Sequence, residues 1–249
     1  MRLVTLISRS LGLFWRVLGE TARPSSRPTQ DSYLSSCRRP NTPGGSRMRL
    51  LAGQKAPQFD VLDVDGRRIT LQDYRGVFLL LSFYRFAGCP FCNARMWRLA
   101  QKASEYLKQG LHLLACIDSS LERVVLEQDR AQYPFPLIAG LGDELYQKYG
   151  IESSLPLAIK GLLTRPGTLL KARSKHYSGW IPHPRLDGSF GRLPADFLID
   201  PGGRMLLAYY GQDLGDFLPE AQVDLFLRSR SPLYPAPSPL PLRRSVLGL

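Results

Sequence analysis

The stretch Val77-Phe78-Leu79-Leu80-Leu81-Ser82-Phe83-Tyr84-Arg85-Phe86-Ala87-Gly88-Cys89-Pro90-Phe91-Cys92 decides the fold. Its first part, Val77 to Tyr84, is a near-continuous apolar run. That length and composition suit a strand buried on both faces, as at the centre of a parallel sheet. Downstream, Met96, Leu99, Ala103 and Leu107 recur at helical spacing between Asn93 and Gln109, and Gly110 closes the pattern. A buried strand hands over to a helix, and Cys89 and Cys92 sit at the junction.

Outward from this junction, Leu111 to Asp118 reads as a second buried strand. A helix follows from Leu121 to Asp129, capped by Ser119 or Ser120. Pro136 to Ile138 is a short strand and Gly142 to Tyr149 a short helix. Upstream, Phe59 to Leu71 reads as a hairpin around Asp65-Gly66, a two-residue turn signal. Near the C-terminus, Ala195 to Asp200 and Met205 to Tyr210 read as strands joined by Pro201-Gly202-Gly203, and Leu218 to Arg228 as the last helix. The expected class is α/β, a central mixed β-sheet flanked by helices. Residues 151–193 are the least regular, and there is no internal repeat.

The chain has 249 residues, 44% of them hydrophobic, enough to bury a core without disulfide staples. Four cysteines exclude a disulfide-rich secreted scaffold. No apolar run reaches the roughly 18–20 residues that span a membrane. The net charge is +12, and half of it lies in residues 1–47, with eight Arg, no Lys, and only Glu20 and Asp31 as acids. Residues 48–230 show neither a basic stripe interleaved with aromatics nor a nucleic-acid motif, so no nucleic-acid partner is expected.

This divides the chain into a basic disordered or targeting segment, 1–47, a folded domain, 48–230, with 151–193 as a variable insertion, and a Pro-rich tail, 231–249. Residues 1–18 read as a basic amphipathic helix of presequence type, or else Met48 is the true start. Five prolines between Pro232 and Pro241 favour extended polyproline II.

Cys89-Pro90-Phe91-Cys92 carries the chemistry. The strand end delivers the first sulfur to the carboxyl edge of the sheet, where open α/β folds place their sites. The helix N-terminus offers unpaired N–H groups and partial positive charge, which favour thiolate over thiol. Pro90 suits the first helical turn, where a missing N–H costs nothing. The second sulfur lies about one turn on, so Cys89 can attack and Cys92 can resolve the mixed disulfide or sulfenic acid. Zinc would need two further ligands, and only Cys116, His112, His176 and His183 are candidates. Cys116 reads as a small core hydrophobe, Cys37 as an exposed thiol at best, and Tyr84 and Trp97 as packing. Arg85 and Arg192 are candidates to lower the thiol pKa or bind an anionic substrate.

Phe83-Tyr84-Arg85-Phe86-Ala87-Gly88-Cys89-Pro90-Phe91-Cys92 resembles the signature of the peroxiredoxin-like branch of the AhpC/TSA (alkyl hydroperoxide reductase/thiol-specific antioxidant, or redoxin) family, within the thioredoxin superfamily. Gly53, Ala56, Pro57 and Phe59 resemble the family's opening. Tyr149-Gly150-Ile151 and the block from Pro194 to Gly203 resemble its later blocks. The resemblance implies a thioredoxin-like fold and a peroxiredoxin-like antioxidant oxidoreductase that reduces peroxides or disulfides through a CxxC dithiol/disulfide cycle. It implies no organic cofactor or metal, and a thiol system such as thioredoxin or glutathione as reductant, in the cytoplasm or the mitochondrial matrix. Two departures bear on the substrate. Phe86 stands where typical members carry Thr, and Pro194 where they carry Arg, the pair that binds the peroxide oxygens. Leu193-Pro194 instead resembles the cis-proline loop of thioredoxins, which aligns a substrate chain. The competing reading is a thioredoxin-fold module that binds a partner or senses redox state with slow cysteines. The insertion, with Lys171, Arg173, Lys175, His176, Tyr177, Trp180, His183 and Arg185, is expected to cover the Cys89 edge as a lid.

Overall fold

In a computed structural model of the chain, residues 48–131, 133–164 and 188–229 are described. The N-terminal segment, the Pro-rich tail, Cys37 and the charged residues at 171–185 lie outside them, as do the expectations placed on them.

Five strands form the main sheet: β3 (Phe78–Tyr84), β4 (Leu111–Ile117), β5 (Leu137–Ala139), β6 (Ala195–Ile199) and β7 (Met205–Tyr210). Their order is β5-β4-β3-β6-β7. β3 runs parallel to β4, and β4 to β5, while β6 is antiparallel to both β3 and β7. The apolar run is therefore the central strand, and all seven of its residues are buried. Side chains alternate across the pleat. Phe78, Leu80 and Tyr84 pack on one face with the dithiol and the long helix α1 (Pro90–Lys108). Leu79, Leu81 and Phe83 pack on the other with Tyr146 and Tyr149. Alternation continues on β4, where Leu113, Ala115 and Ile117 join the dithiol face and Leu114 and Cys116 the far one. Further helices are α2 (Leu121–Ala131), α3 (Glu144–Lys148), α4 (Leu155–Thr164) and α5 (Glu220–Ser229). No described helix is long and apolar enough to cross a membrane.

Three local expectations need correction. The hairpin β1 (Asp60–Leu62) and β2 (Arg68–Thr70) exists, but as a separate two-stranded sheet with a wider turn than Asp65-Gly66 alone. The buried Asp63 carboxylate accepts the N–H groups of Asp65 and Arg67, both at 2.9 Å, and closes a five-residue loop. Gly66 supplies its positive φ of 79°. Second, the irregular stretch contains α4. Leu155, Ile159 and Leu163 of this helix face solvent while Ala158 is buried, so its polarity does not follow its burial. Third, Leu193-Pro194 is not cis, and no cis peptide occurs among the described residues. Pro194 immediately precedes β6, where the lack of an N–H is tolerated. Its carbonyl accepts the Gly211 N–H at 2.9 Å.

Candidate active site

The site forms where β3 ends. Arg85 follows the strand, Phe86-Ala87-Gly88 turn the chain, and Cys89 is the N-cap of α1 with Pro90 in the first turn. The turn is pinned at several points. Cys89 N–H donates to the Phe86 carbonyl at 3.0 Å, and Ser119 Oγ accepts the Ala87 N–H at 2.9 Å. Asn93 Nδ2, one turn into α1, donates back to the Ala87 carbonyl at 2.8 Å. These bonds hold the first sulfur at the helix N-terminus, where the dipole and free N–H groups act on it.

Cys89 and Cys92 are reduced and fully buried. Burial pushes the Cys89 thiol up. The Cys92 thiol that donates to it, the Arg85 guanidinium, and the backbone N–H groups of Cys92 and Phe91 together outweigh this, leaving Cys89 at about 6 against an ordinary 9.0. Cys92 moves the opposite way, well above its ordinary value, through burial and then through holding its proton toward Cys89. The two thiols move in opposite directions, which is the division of labour expected of an attacking and a resolving thiol.

Arg85 is itself buried, with Nη1 3.5 Å from Cys89 Sγ and Nη2 donating to the Phe190 carbonyl at 2.8 Å. The rings of Phe86 and Phe190 lie 5.0 and 5.2 Å from its guanidinium carbon. No described group accepts a hydrogen bond from its Nε. Arg192 is committed elsewhere. It pairs with Asp118 at 3.0 Å and with Asp143, and its guanidinium stacks 4.4 Å over Tyr146. Cys116 lies on the far face of the sheet, and burial alone pushes its thiol up. Among the described residues no three His, Cys, Asp or Glu side chains gather to hold a metal.

A buried polar set lies on the dithiol face, one turn along α1 from Cys92. Arg95 Nη1 is 2.6 Å from Glu220, and its Nη2 is 4.0 Å from Asp196. Asp196 accepts from Ser82 Oγ and from the Leu218 N–H at 2.8 Å. Burial would raise Glu220, but Arg95, followed by Arg98, brings it down to about 2. The polarity pattern gives no sign of these buried charges. Asn93, Ser119 and Phe190 are likewise absent from a reading by motif, because their hydrogen bonds at the site run through backbone groups, the Ala87 carbonyl, the Ala87 N–H and the carbonyl of Phe190 itself.

With this geometry the comparisons with known proteins agree. The model of the AhpC/TSA family matches residues 52–207. The chain belongs to the AhpC/TSA family. It is 26% identical over 102 residues to the peroxiredoxin Bcp of Escherichia coli, a match covering 41% of this chain and 65% of that protein. It is 26% identical over 125 residues to the thiol-disulfide oxidoreductase ResA of Bacillus thuringiensis, covering 49% of this chain and 69% of that one. Thus the match to Bcp spans a little under two thirds of the relative's length. In fold it is similar to a peroxiredoxin-like protein from Aquifex aeolicus, with a TM-score of 0.52 and 13% identity over 73% of this chain and 88% of that one. The fold is thioredoxin-like.

Proposed function

We propose that this chain is a thiol-dependent oxidoreductase in which Cys89 attacks and Cys92 resolves. The observation that carries the reading is the Cys89 sulfur at a helix N-terminus with Arg85 Nη1 at 3.5 Å, surroundings that hold its thiol below the ordinary value. At neutral pH such a sulfur is mostly thiolate, the nucleophilic form.

With a peroxide, the thiolate attacks one oxygen of the O–O bond. Cys89 becomes a sulfenic acid and the other oxygen leaves as alcohol or water, taking a proton from solvent. Cys92 then displaces that hydroxyl as water and forms the Cys89–Cys92 disulfide. With a disulfide, Cys89 attacks one sulfur and expels the other as thiolate, and Cys92 closes the same internal disulfide by expelling the second. An external dithiol such as thioredoxin, or two glutathiones, returns two electrons and restores the pair. The spare donor of Arg85 suits the oxygen or sulfur that gains negative charge. Phe86 in place of a hydroxyl residue favours disulfides; the AhpC/TSA membership and the Bcp relative favour peroxides.

Stopped-flow consumption of hydrogen peroxide, cumene hydroperoxide and insulin disulfide by the full-length reduced protein separates the two electrophiles. The expected outcome is stoichiometric loss of both thiols with at least one of them. No faster loss than a free thiol with any of the three would defeat the enzymatic reading. It would favour the redox-sensing module, to which the complete burial of Cys89 also lends itself.

A further inference from the structure

Arg85 owes its position to more than its own strand. Its Nη2 is bonded to the carbonyl of Phe190, a residue 105 positions away in sequence. Where that carbonyl stands therefore sets where the guanidinium stands over Cys89. The segment Gly188–Arg192 that carries Phe190 belongs to no helix or named strand. It is tied to the stretch before α4 by the Ser154 N–H on the Gly191 carbonyl at 2.7 Å and by the Ser153 and Ser189 hydroxyls at 3.2 Å, and to the end of β4 by one residue.

That residue is Asp118. Its Oδ2 accepts the Ser189 N–H at 3.1 Å and the Arg192 Nε–H at 3.0 Å, one bond on each side of Phe190. Its own N–H donates to the Arg85 carbonyl at 2.8 Å. Its carbonyl oxygen lies so close to Gly188, at φ 102°, that a Cβ there would come within 1.7 Å of it. Arg192 extends the grip outward to the Asp143 carboxylate and across the Tyr146 ring on α3. One side chain is thus bonded to both flanks of Phe190, and the same residue's backbone to Arg85.

We propose that Asp118 and Arg192 are positioning residues, a clamp that fixes the Phe190 carbonyl and through it the Arg85 guanidinium on the Cys89 sulfur. Neither touches the reacting sulfur or the substrate. The clamp rests on the reading of Cys89 as the attacking thiolate and adds what keeps its cation in register. A guanidinium left to swing out of a buried site spends less time beside the sulfur, and the thiolate loses part of its stabilisation. Among the described residues, the charged and titratable groups around Asp118 are Arg192 from the segment itself, Arg85 from the end of β3, Asp143 beyond Arg192, and the Tyr146 phenol from α3.

The test uses full-length protein carrying Asp118→Asn, Arg192→Gln or Arg192→Lys. Cys89 thiolate absorbance is followed against pH, with Cys89→Ser in each background to assign the signal. In Asp118→Asn and Arg192→Gln the midpoint is expected to rise by about one pH unit, so that the thiolate fraction at pH 6 falls about fivefold. Arg192→Lys, which keeps a charge on Asp118, should recover part of the shift. Ile138→Val, a conservative core change on the far face of the sheet, should lower Tm and leave the midpoint in place. Asp143→Asn, at a carboxylate 62% exposed, leaves the fold intact and decides the matter if the buried variants do not fold, with a smaller rise in the same direction. A midpoint unmoved in the folded variants overturns the clamp and leaves the proposed function standing. A wild-type protein without any thiol titrating below 8 overturns that function instead.

Discussion

Cys89 and Cys116 have the same side chain and the same complete burial, yet their thiols move in opposite directions. Cys116 sits within β4 on the far face of the sheet, among Leu114, Phe83 and Tyr146, where nothing offsets the cost of desolvating a charge. Cys89 sits just past the end of the neighbouring strand, where helix N–H groups, a partner thiol and a buried guanidinium together outweigh that cost. Burial does not decide the direction of the shift here; position relative to the strand end does. The two faces differ in the same sense. The dithiol face carries Arg95, Asp196 and Ser82 inside its core, while the far face around β3 is an aromatic cluster in which Phe83 lies 5.1 Å from both Tyr146 and Tyr149.

The sharpest way to break this contrast is to exchange the thiols. Cys89→Ser is expected to lower turnover on the order of 10³-fold or more, since the nucleophile is gone. Cys116→Ala should leave kcat/KM within about twofold and cost about 1 kcal/mol in urea unfolding. Equal losses from both would end the distinction. A step down in size, Arg95→Ala takes the buried cation away from both Asp196 and Glu220 and should destabilise the fold by about 3–5 kcal/mol. The readout is the denaturation midpoint, and a loss under 1 kcal/mol would mean that the dithiol face does not depend on its ion pair. Smallest is the pH profile. Because the Cys89 midpoint is lowered, its thiolate is depleted only below about pH 6. Iodoacetamide labelling should therefore be nearly flat above pH 7 and fall about tenfold per unit well below 6. Cys116, pushed the other way, should stay unlabelled in the folded protein across the same range.

Much of this was legible in the residues. The apolar run from Val77 to Tyr84 gave the central strand, the Cys89/Cys92 spacing gave the dithiol, and Arg85 was placed beside it by simple adjacency. What escaped has physical reasons. Arg95 looks like any solvated residue on a helix, because a pattern of polarity does not reveal a carboxylate arriving from β6. Adjacency misled at Arg192, which immediately precedes the Leu193-Pro194 pair, while Asp118 and Asp143 claim its fork. The contact between Arg85 and Phe190 spans 105 residues and uses a backbone oxygen, which leaves no trace in side-chain identity. α4 escaped because Leu155, Ile159 and Leu163 point outward, so its apolar stripe marks no core.

The arrangement of the sheet also orders events during synthesis. β3 pairs on one side with β4, made soon afterwards, and on the other with β6, more than a hundred residues later. A nascent chain that has emerged only as far as β5 already holds both sulfurs, but not the oxygen that steadies Arg85 nor the acid that faces Arg95. On the proposed reading, the Cys89 sulfur gains its steadied guanidinium only once residue 190 has been made.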